Sequence, residues 1–388
     1  MEANPTKQPK LIVHLDINGT IMPADPIKSK HVDSMLNLHL SKQAFVRRSI
    51  DDDSEFVWWD GTPFHKGERP PLLPQFRYTC HIQEHYNEVI DASISVPKKE
   101  FVSLNDFNNV CDGLNCRNFT SRDSPGHVYE SDLLDLLDAL EWKHRSSCDP
   151  EVTKAFTLSV SGDRLMNLFV PSFLELLKYL HNEVRDFVII IRTFGSDIPR
   201  LLPAFAMIAE GLHPDLPHAG YINPPMAYGR LSWTSPRSFN LEMVDAFSSE
   251  TCFISGNSNI QSYFEHLPTG SVIMVNDDYD TWKQHDWKPE FGKPVFVDLE
   301  KISSVRHFLF DDNVNLNPDD SIACVWLREP SGRYKPYPHS KPEGLAMIGT
   351  VLLQATLYNS ILDPNSFVAE LKKADARYDT LKRRILNR

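Results

Sequence analysis

Leu11-Ile12-Val13-His14-Leu15-Asp16-Ile17-Asn18-Gly19-Thr20-Ile21 is the stretch that decides how the chain folds. A short apolar run leads into Asp16, and the Asn18-Gly19 pair then turns the chain. Runs of this kind, apolar at successive positions and closed by a turn, are strands buried on both faces, as parallel sheets require. Working outward, the same pattern recurs. Phe187–Ile191 is wholly apolar and ends at Arg192-Thr193-Phe194-Gly195, and His307–Phe310 ends at Asp311-Asp312-Asn313. Cys252–Ser255, Val272–Val275, Val295–Val297 and Ile322–Trp326 are shorter strand candidates.

Between these runs the apolar spacing becomes helical. It predicts amphipathic helices over Leu165–Asn182 and Ile198–Ala209, and a terminal helix over Ser366–Arg388. Lys382, Arg383 and Arg384 crowd the last turn of that terminal helix, where cations suit the helix dipole. Strands alternating with helices predict an α/β class with a Rossmann-like parallel sheet. Gly211 to Thr251, rich in proline, reads as irregular.

Residues 24–155 break the pattern. They carry Asp51-Asp52-Asp53, Phe56-Val57-Trp58-Trp59 and Pro70-Pro71, with short strand candidates at Gln75–His81 and Ala92–Val96 and helical spacing at Leu133–Trp142. The expected organisation is an α/β core from 11–23 plus 156–330, a large cap-like insertion over 24–155 after the first strand, and a C-terminal helical segment over 331–388.

Composition narrows the function. The chain has 388 residues, 41% hydrophobic and 24% charged, which fits a soluble globular protein. A formal net charge of −12 argues against nucleic-acid binding and against broad contact with an anionic membrane. It leaves room for a small phosphorylated substrate, because a metal or a local cation can reverse the field of a cleft. A protein partner also stays open. The six cysteines form no dense framework, no apolar leader precedes the first strand, and no apolar run is long enough for a bilayer. The expectation is a cytoplasmic protein. Cys80, His81, His85, Cys111, Cys116 and His127 do not have standard zinc spacing.

In an open α/β sheet, ligands sit beyond the carboxyl ends of the strands. Three strand ends here carry groups suited to phosphate and metal: Asp16 to Thr20, Thr193 to Gly195, and Asp311 to Asn313. In this order and composition, LIVHLDINGTI, VIIIRTFG and HFLFDDN resemble the first, second and fourth motifs of the haloacid-dehalogenase superfamily, phosphatase type. The resemblance covers roughly 11–22, 165–210 and 290–326.

The resemblance implies roles. Asp16 would be the nucleophile that forms an aspartyl-phosphate. Mg²⁺ would sit on Asp16, the backbone carbonyl of Asn18, Asp311 and Asp312. Thr193 would hydrogen-bond the phosphoryl group, with Thr20 and Gly195 beside it. A lysine should neutralise the phosphate; Lys293 is the first choice, with Lys283 and Lys301 as competitors. Asn276-Asp277-Asp278 is a rival acidic strand end. Trp58 and Trp59, with His65, Lys66 and Arg69, are the most binding-like group of the insertion.

One position departs from the family. Asn18 stands where family phosphatases carry a second Asp that protonates the leaving oxygen. An amide cannot exchange that proton. His14, His65 and His85 are other candidates for proton work. The function expected is Mg²⁺-dependent phosphohydrolase or phosphotransferase activity. The alternative is a catalytically impaired module that binds a phosphorylated ligand or a protein.

Overall fold

The computed structural model describes residues 8–25, 31–43, 45–48, 56–58, 102–103, 118–122, 125–144, 147–159, 164–183, 185–235, 237–314, 321–338 and 340–386. Two compact units divide the chain. The larger takes Met1–Ser29, Trp142–Leu158 and Leu165–Arg388; the smaller takes Lys30–Glu141 and Ser159–Arg164.

In the larger unit the principal strands are β1 (Lys10–Asp16), β2 (Phe187–Thr193), β3 (Ala227–Ser235), β4 (Ser238–Asp245), β5 (Thr251–Ser255), β6 (Ser271–Asn276), β7 (Lys293–Val297), β8 (Val305–Asp311), β9 (Ala323–Arg328), β10 (Tyr334–Tyr337) and β11 (Leu352–Gln354). The principal helices are α1 (Pro171–Asn182), α2 (Ile198–Ala209), α3 (Asn257–His266), α4 (Tyr279–Gln284), α5 (Leu357–Leu362) and α6 (Ser366–Leu386).

Eight strands form the main sheet in the order β5-β4-β3-β6-β2-β1-β8-β11. From β3 to β11 all neighbours are parallel, while β4 runs antiparallel to β3 and β5. The chain runs from β1 to β2, goes out to β3, β4 and β5, comes back to place β6 between β2 and β3, and then crosses to the other side of β1 for β8 and β11. The order therefore reverses between β1 and β8, and an open α/β sheet has its ligand crevice at such a reversal.

Both faces of the sheet are covered. Along β1 and β2 nearly every residue is buried, which explains their unbroken apolar character. Alternation still assigns the faces. Ile12, Val188, Ile190, Ile273 and Val275 pack with Ile260 and Phe264 of α3 and with Phe296 and Trp326 of a second sheet, β7-β9-β10. On the other face Phe308 meets Tyr378 and Phe310 meets Phe367, both from α6. Each such fully buried side chain contributes roughly 1.5–3 kcal/mol. Arg185 and Arg306 converge on Asp375 and fasten α6 to the strands.

The structure corrects three expectations. The helix predicted from Leu165 starts at Pro171; Leu165–Asn167 is a strand, and Val170 is still extended, donating its N–H to the Ile21 carbonyl. Proline is preorganised for the first helical turn, so the helix begins where it stands. The segment read as irregular, Gly211 to Thr251, holds the β3-β4 hairpin, with Phe239, Leu241 and Met243 turned into the core at alternate positions. The segment 331–388 carries β10 and β11 as well as helices.

The smaller unit contains helices Val32–Gln43 and Glu130–Leu140 and a small antiparallel sheet in which Phe45–Arg48 lies between Phe56–Trp58 and Val102–Ser103. Thr120 donates from its backbone N–H and its hydroxyl to Asn37 Oδ1 and ties the loop to the first of these helices. The strands expected at Gln75–His81 and Ala92–Val96 lie outside the described residues. Among the described residues, no helix is long and apolar enough to cross a membrane.

Candidate functional site

Register delivers the site. Leu15 pairs with both Ile191 and Phe310, so Asp16 leaves the sheet level with Arg192 on one side and Asp311 on the other. Thr193 pairs in turn with Asn276 at the end of β6. Four adjacent strands, β6-β2-β1-β8, thus present their carboxyl ends in one row.

After Asp16 the chain folds back at once. The N–H groups of Thr20, Ile21 and Met22 all donate to the Ile17 carbonyl, and Gly19 donates to Met22. Gly19 has φ +83°, a conformation that costs any residue with a Cβ. The turn places the Thr20 hydroxyl where it accepts the Asp312 N–H at 3.0 Å. In this way the first strand end is pinned to the fourth.

At the centre sits Lys293, the first residue of β7 and completely buried. Its ammonium donates to Asp16 Oδ1 at 2.5 Å and to Asp311 Oδ2 at 2.7 Å. Asp16 is 7% exposed and Asp311 0%. Carboxylate oxygens of Asp16, Asp311 and Asp312 all lie within 4.8 Å of one another, a grouping able to hold a metal ion. Burial pushes the Asp16 carboxyl well above its ordinary range; Lys293 opposes this, while Asp311 and Asp312 add to it. Burial alone would lower Lys293, but Asp16, Asp311 and Asp277 hold its ammonium above the ordinary lysine range. Asn313 steadies the far side. Its N–H goes to Asp311 Oδ1 at 2.9 Å and its amide to Asp312 Oδ1 at 2.8 Å.

The second strand end is hydrogen-bonded inward. Thr193 Oγ1 accepts the Gly195 N–H at 2.8 Å and lies 3.4 Å from Asp197 Oδ2. Asn276 donates to the Gly195 carbonyl. Asp197, at the start of α2, also takes the Asn18 amide at 2.8 Å. Burial raises the Asp197 carboxyl, and the Asn18 hydrogen bond pulls it back. An ionised carboxylate only accepts, so this partner fixes the amide with Nδ2 toward Asp197. The Asn18 Oδ1 is buried and meets no hydrogen-bond partner among the described residues.

The competing candidates are engaged elsewhere. Asp277 forms a buried bidentate pair with Arg192, which also donates to the Pro294 carbonyl. Asp278 caps α4 through the Thr281 N–H and takes the Trp233 N–H. Lys301 pairs with Glu265 at 3.0 Å, and Lys283 is an exposed residue of α4. His14 lies beneath the site against Phe264 and His307, and burial, then Arg192 and His307, depress its pKa. Trp58 ends the strand Phe56–Trp58 of the smaller unit. Trp59, His65, Lys66, Arg69, Cys80, His81, His85, Cys111 and Cys116 lie outside the described residues. His127 contacts the Thr120 carbonyl.

Sequence reasoning missed Asp197 and Arg192, and it placed Asn313 at the site without giving it a role. Asp197 could have been suspected, since it follows Thr193 by four residues and precedes a helix that opens with Ile198-Pro199. Arg192 was hidden by its place at the end of an apolar run. No family model, no curated protein and no solved structure matches the chain.

Proposed function

We propose that the larger unit is a Mg²⁺-dependent phosphoryl-transfer site of the haloacid-dehalogenase type, acting on a small phosphorylated metabolite through Asp16. The observation that carries the reading is the buried Lys293 ammonium bridging Asp16 and Asp311, with Asp312 completing the acidic group. The ammonium reaches two of these carboxylates, and Asp312 brings a third carboxylate oxygen within 4.8 Å of theirs, an all-oxygen cluster of the kind a hard divalent cation takes.

The donor set fits Mg²⁺, which prefers oxygen ligands and tolerates few of them from protein. Asp16, the Asn18 carbonyl, Asp311 and Asp312 would hold it, and it would screen the carboxylates from an incoming phosphate. The residues then divide the work. An Asp16 oxygen attacks phosphorus and the bond to the leaving oxygen breaks, the electron pair departing with it. Lys293 favours the ionised form of Asp16 against its burial and holds it in place. Thr193, whose hydroxyl donates only over a long contact to Asp197, would turn to hydrogen-bond a phosphoryl oxygen. Water would then attack phosphorus, the P–O bond to Asp16 would break to restore the carboxylate, and the water's proton would leave with the released phosphate.

Asn18 sets the limit. It has no proton to give, so the site suits leaving groups that depart as stable anions. The same feature supports a second reading, a phosphate-binding module with little turnover.

Turnover of 4-nitrophenyl phosphate tests the proposal, because nitrophenolate leaves without a proton. The expected result is hydrolysis that needs Mg²⁺, stops with EDTA and is lost in Asp16→Asn. Binding of orthophosphate without turnover would favour the module; neither binding nor turnover would end both readings.

A further inference from the structure

We infer that the carboxyl ends of β2 and β6 carry an aromatic subsite, and that the phosphate ester bound at Asp16 bears a flat aromatic ring, such as a nucleobase, on its alcohol side. This rests on the phosphoryl-transfer reading of Asp16 and adds a substrate class to it.

Four aromatic side chains form a continuous group there. Phe194 directly follows Thr193 and lies 5.3 Å from the Lys293 ammonium, measured to the ring centre. Phe194 stacks on Trp282 at 4.9 Å with the rings only 8° from parallel. Tyr279 meets Phe194 edge-on at 5.9 Å, and Trp287 meets Tyr279 at 5.5 Å and Trp282 at 4.9 Å. Two of the four keep part of their surface in water, Tyr279 at 38% and Trp287 at 41% exposed. Adjoining aromatic rings that keep exposed surface offer a face on which a flat ring can stack.

The backbone holds Trp287 there at a cost. Asp286 and Trp287 both have left-handed φ, 55° and 60°. Ending α4 would need one such residue, and glycine or asparagine normally supplies it. Two in succession, the second a tryptophan, store strain of the kind found at ligand clamps.

Sheet order gives the reach. β6 is two strands from β1, a separation of about 10 Å at the usual strand spacing. That matches a nucleoside monophosphate with its phosphate at Asp16 and its base against the ring group. A sugar phosphate without a base is too short to use it.

Adenosine 5′-monophosphate, ribose 5-phosphate and orthophosphate are titrated separately into the full chain with Mg²⁺, followed by indole fluorescence and calorimetry. Base stacking predicts that the nucleotide binds roughly tenfold or more tightly than ribose 5-phosphate. Trp287→Ala should bring the two affinities together, and Trp287→Phe should restore most of the difference. Equal affinities in the wild type, or a ratio unchanged in Trp287→Ala, overturn the subsite. Failure of the phosphoryl-transfer reading registers separately, as 4-nitrophenyl phosphate turnover that is absent or survives Asp16→Asn. The affinity ratio then decides the subsite by itself.

Discussion

Replacing Lys293 by methionine removes the ammonium and keeps the bulk of the side chain. Its two contacts, 2.5 Å to Asp16 and 2.7 Å to Asp311, are made with no exposure to water. At an effective dielectric of about 20, each is worth roughly 6 kcal/mol before desolvation. Desolvation of the lysine offsets much of that. What survives is the cost of leaving two carboxylates buried without a cation, about 3–5 kcal/mol. For a unit of this size roughly 2–4 °C of melting temperature goes with each kcal/mol, so Tm should fall by about 10 °C. The loss should also depend on pH. Without Lys293 less opposes the burial that raises the Asp16 carboxyl, so it takes up a proton more readily and the deficit shrinks as pH falls. Thermal unfolding followed by circular dichroism at pH 8 and pH 5, without divalent ions, measures both effects. Adding Asp16→Asn to Lys293→Met should recover part of the stability, and so should Mg²⁺ on the single variant. A Tm change below about 2 °C, or a loss identical at the two pH values, would refute the reasoning, because the three groups would then not be coupled as buried charges.

Two further predictions follow from the geometry. Asn18→Asp supplies the missing proton donor and should raise hydrolysis of an alkyl phosphate such as glycerol phosphate by about 10²-fold, with little effect on 4-nitrophenyl phosphate; steady-state rates on the two substrates, compared with wild type, check it. His213 is packed against Phe156, accepts the Asp215 N–H on Nδ1, and is depressed from 6.5 to about 4, chiefly by burial. Below 6.5 the unfolded chain binds a proton that the folded chain refuses until about pH 4. Stability should therefore fall as pH drops through that window, by up to about 3 kcal/mol, and level off below it. Urea midpoints between pH 7.5 and 4.5 should decline more shallowly in His213→Gln.

The central strands were legible because burial on both faces leaves no polar position to confuse the pattern. Leu11–Leu15, Phe187–Ile191 and His307–Phe310 needed nothing more. The polar groups at their ends could be read too, since Asp16 and Asp311 stand directly after the last apolar residue and Thr193 one place further on. The β3-β4 hairpin was not. Its inward residues alternate, as Phe239, Leu241 and Met243 do, and the prolines Pro224, Pro225 and Pro236 around it resemble a loop. β11 is only three residues long and carries no periodicity at all. Partners that depend on side-chain reach were illegible for another reason. That Asp197 would receive Asn18, or that Arg192 would claim Asp277, follows from adjacent strand ends, and spacing along the chain does not encode which ends are adjacent. Lys293 lay between the two cases. Its position just ahead of a short apolar strand suggested a role, but only the pairing of β7 with β9 shows how a lysine there is carried inside.

The groups around Asp16 come from far apart in the chain. Lys293 is 277 residues from Asp16, and Asp312 is 292 residues from Thr20. The contacts of Asp311 and Asp312 cannot form until β8 has docked beside β1, which closes a loop running from Asp16 to Val305. Such long-range parallel pairing is slow and comes late in folding. Recovery of Asp16-dependent turnover after dilution from urea should therefore lag behind recovery of helical circular dichroism. A nascent chain still lacking β8 would hold Asp16 and Lys293 without Asp311 and Asp312, so the buried ammonium would lack one of its two carboxylates until that strand has been made.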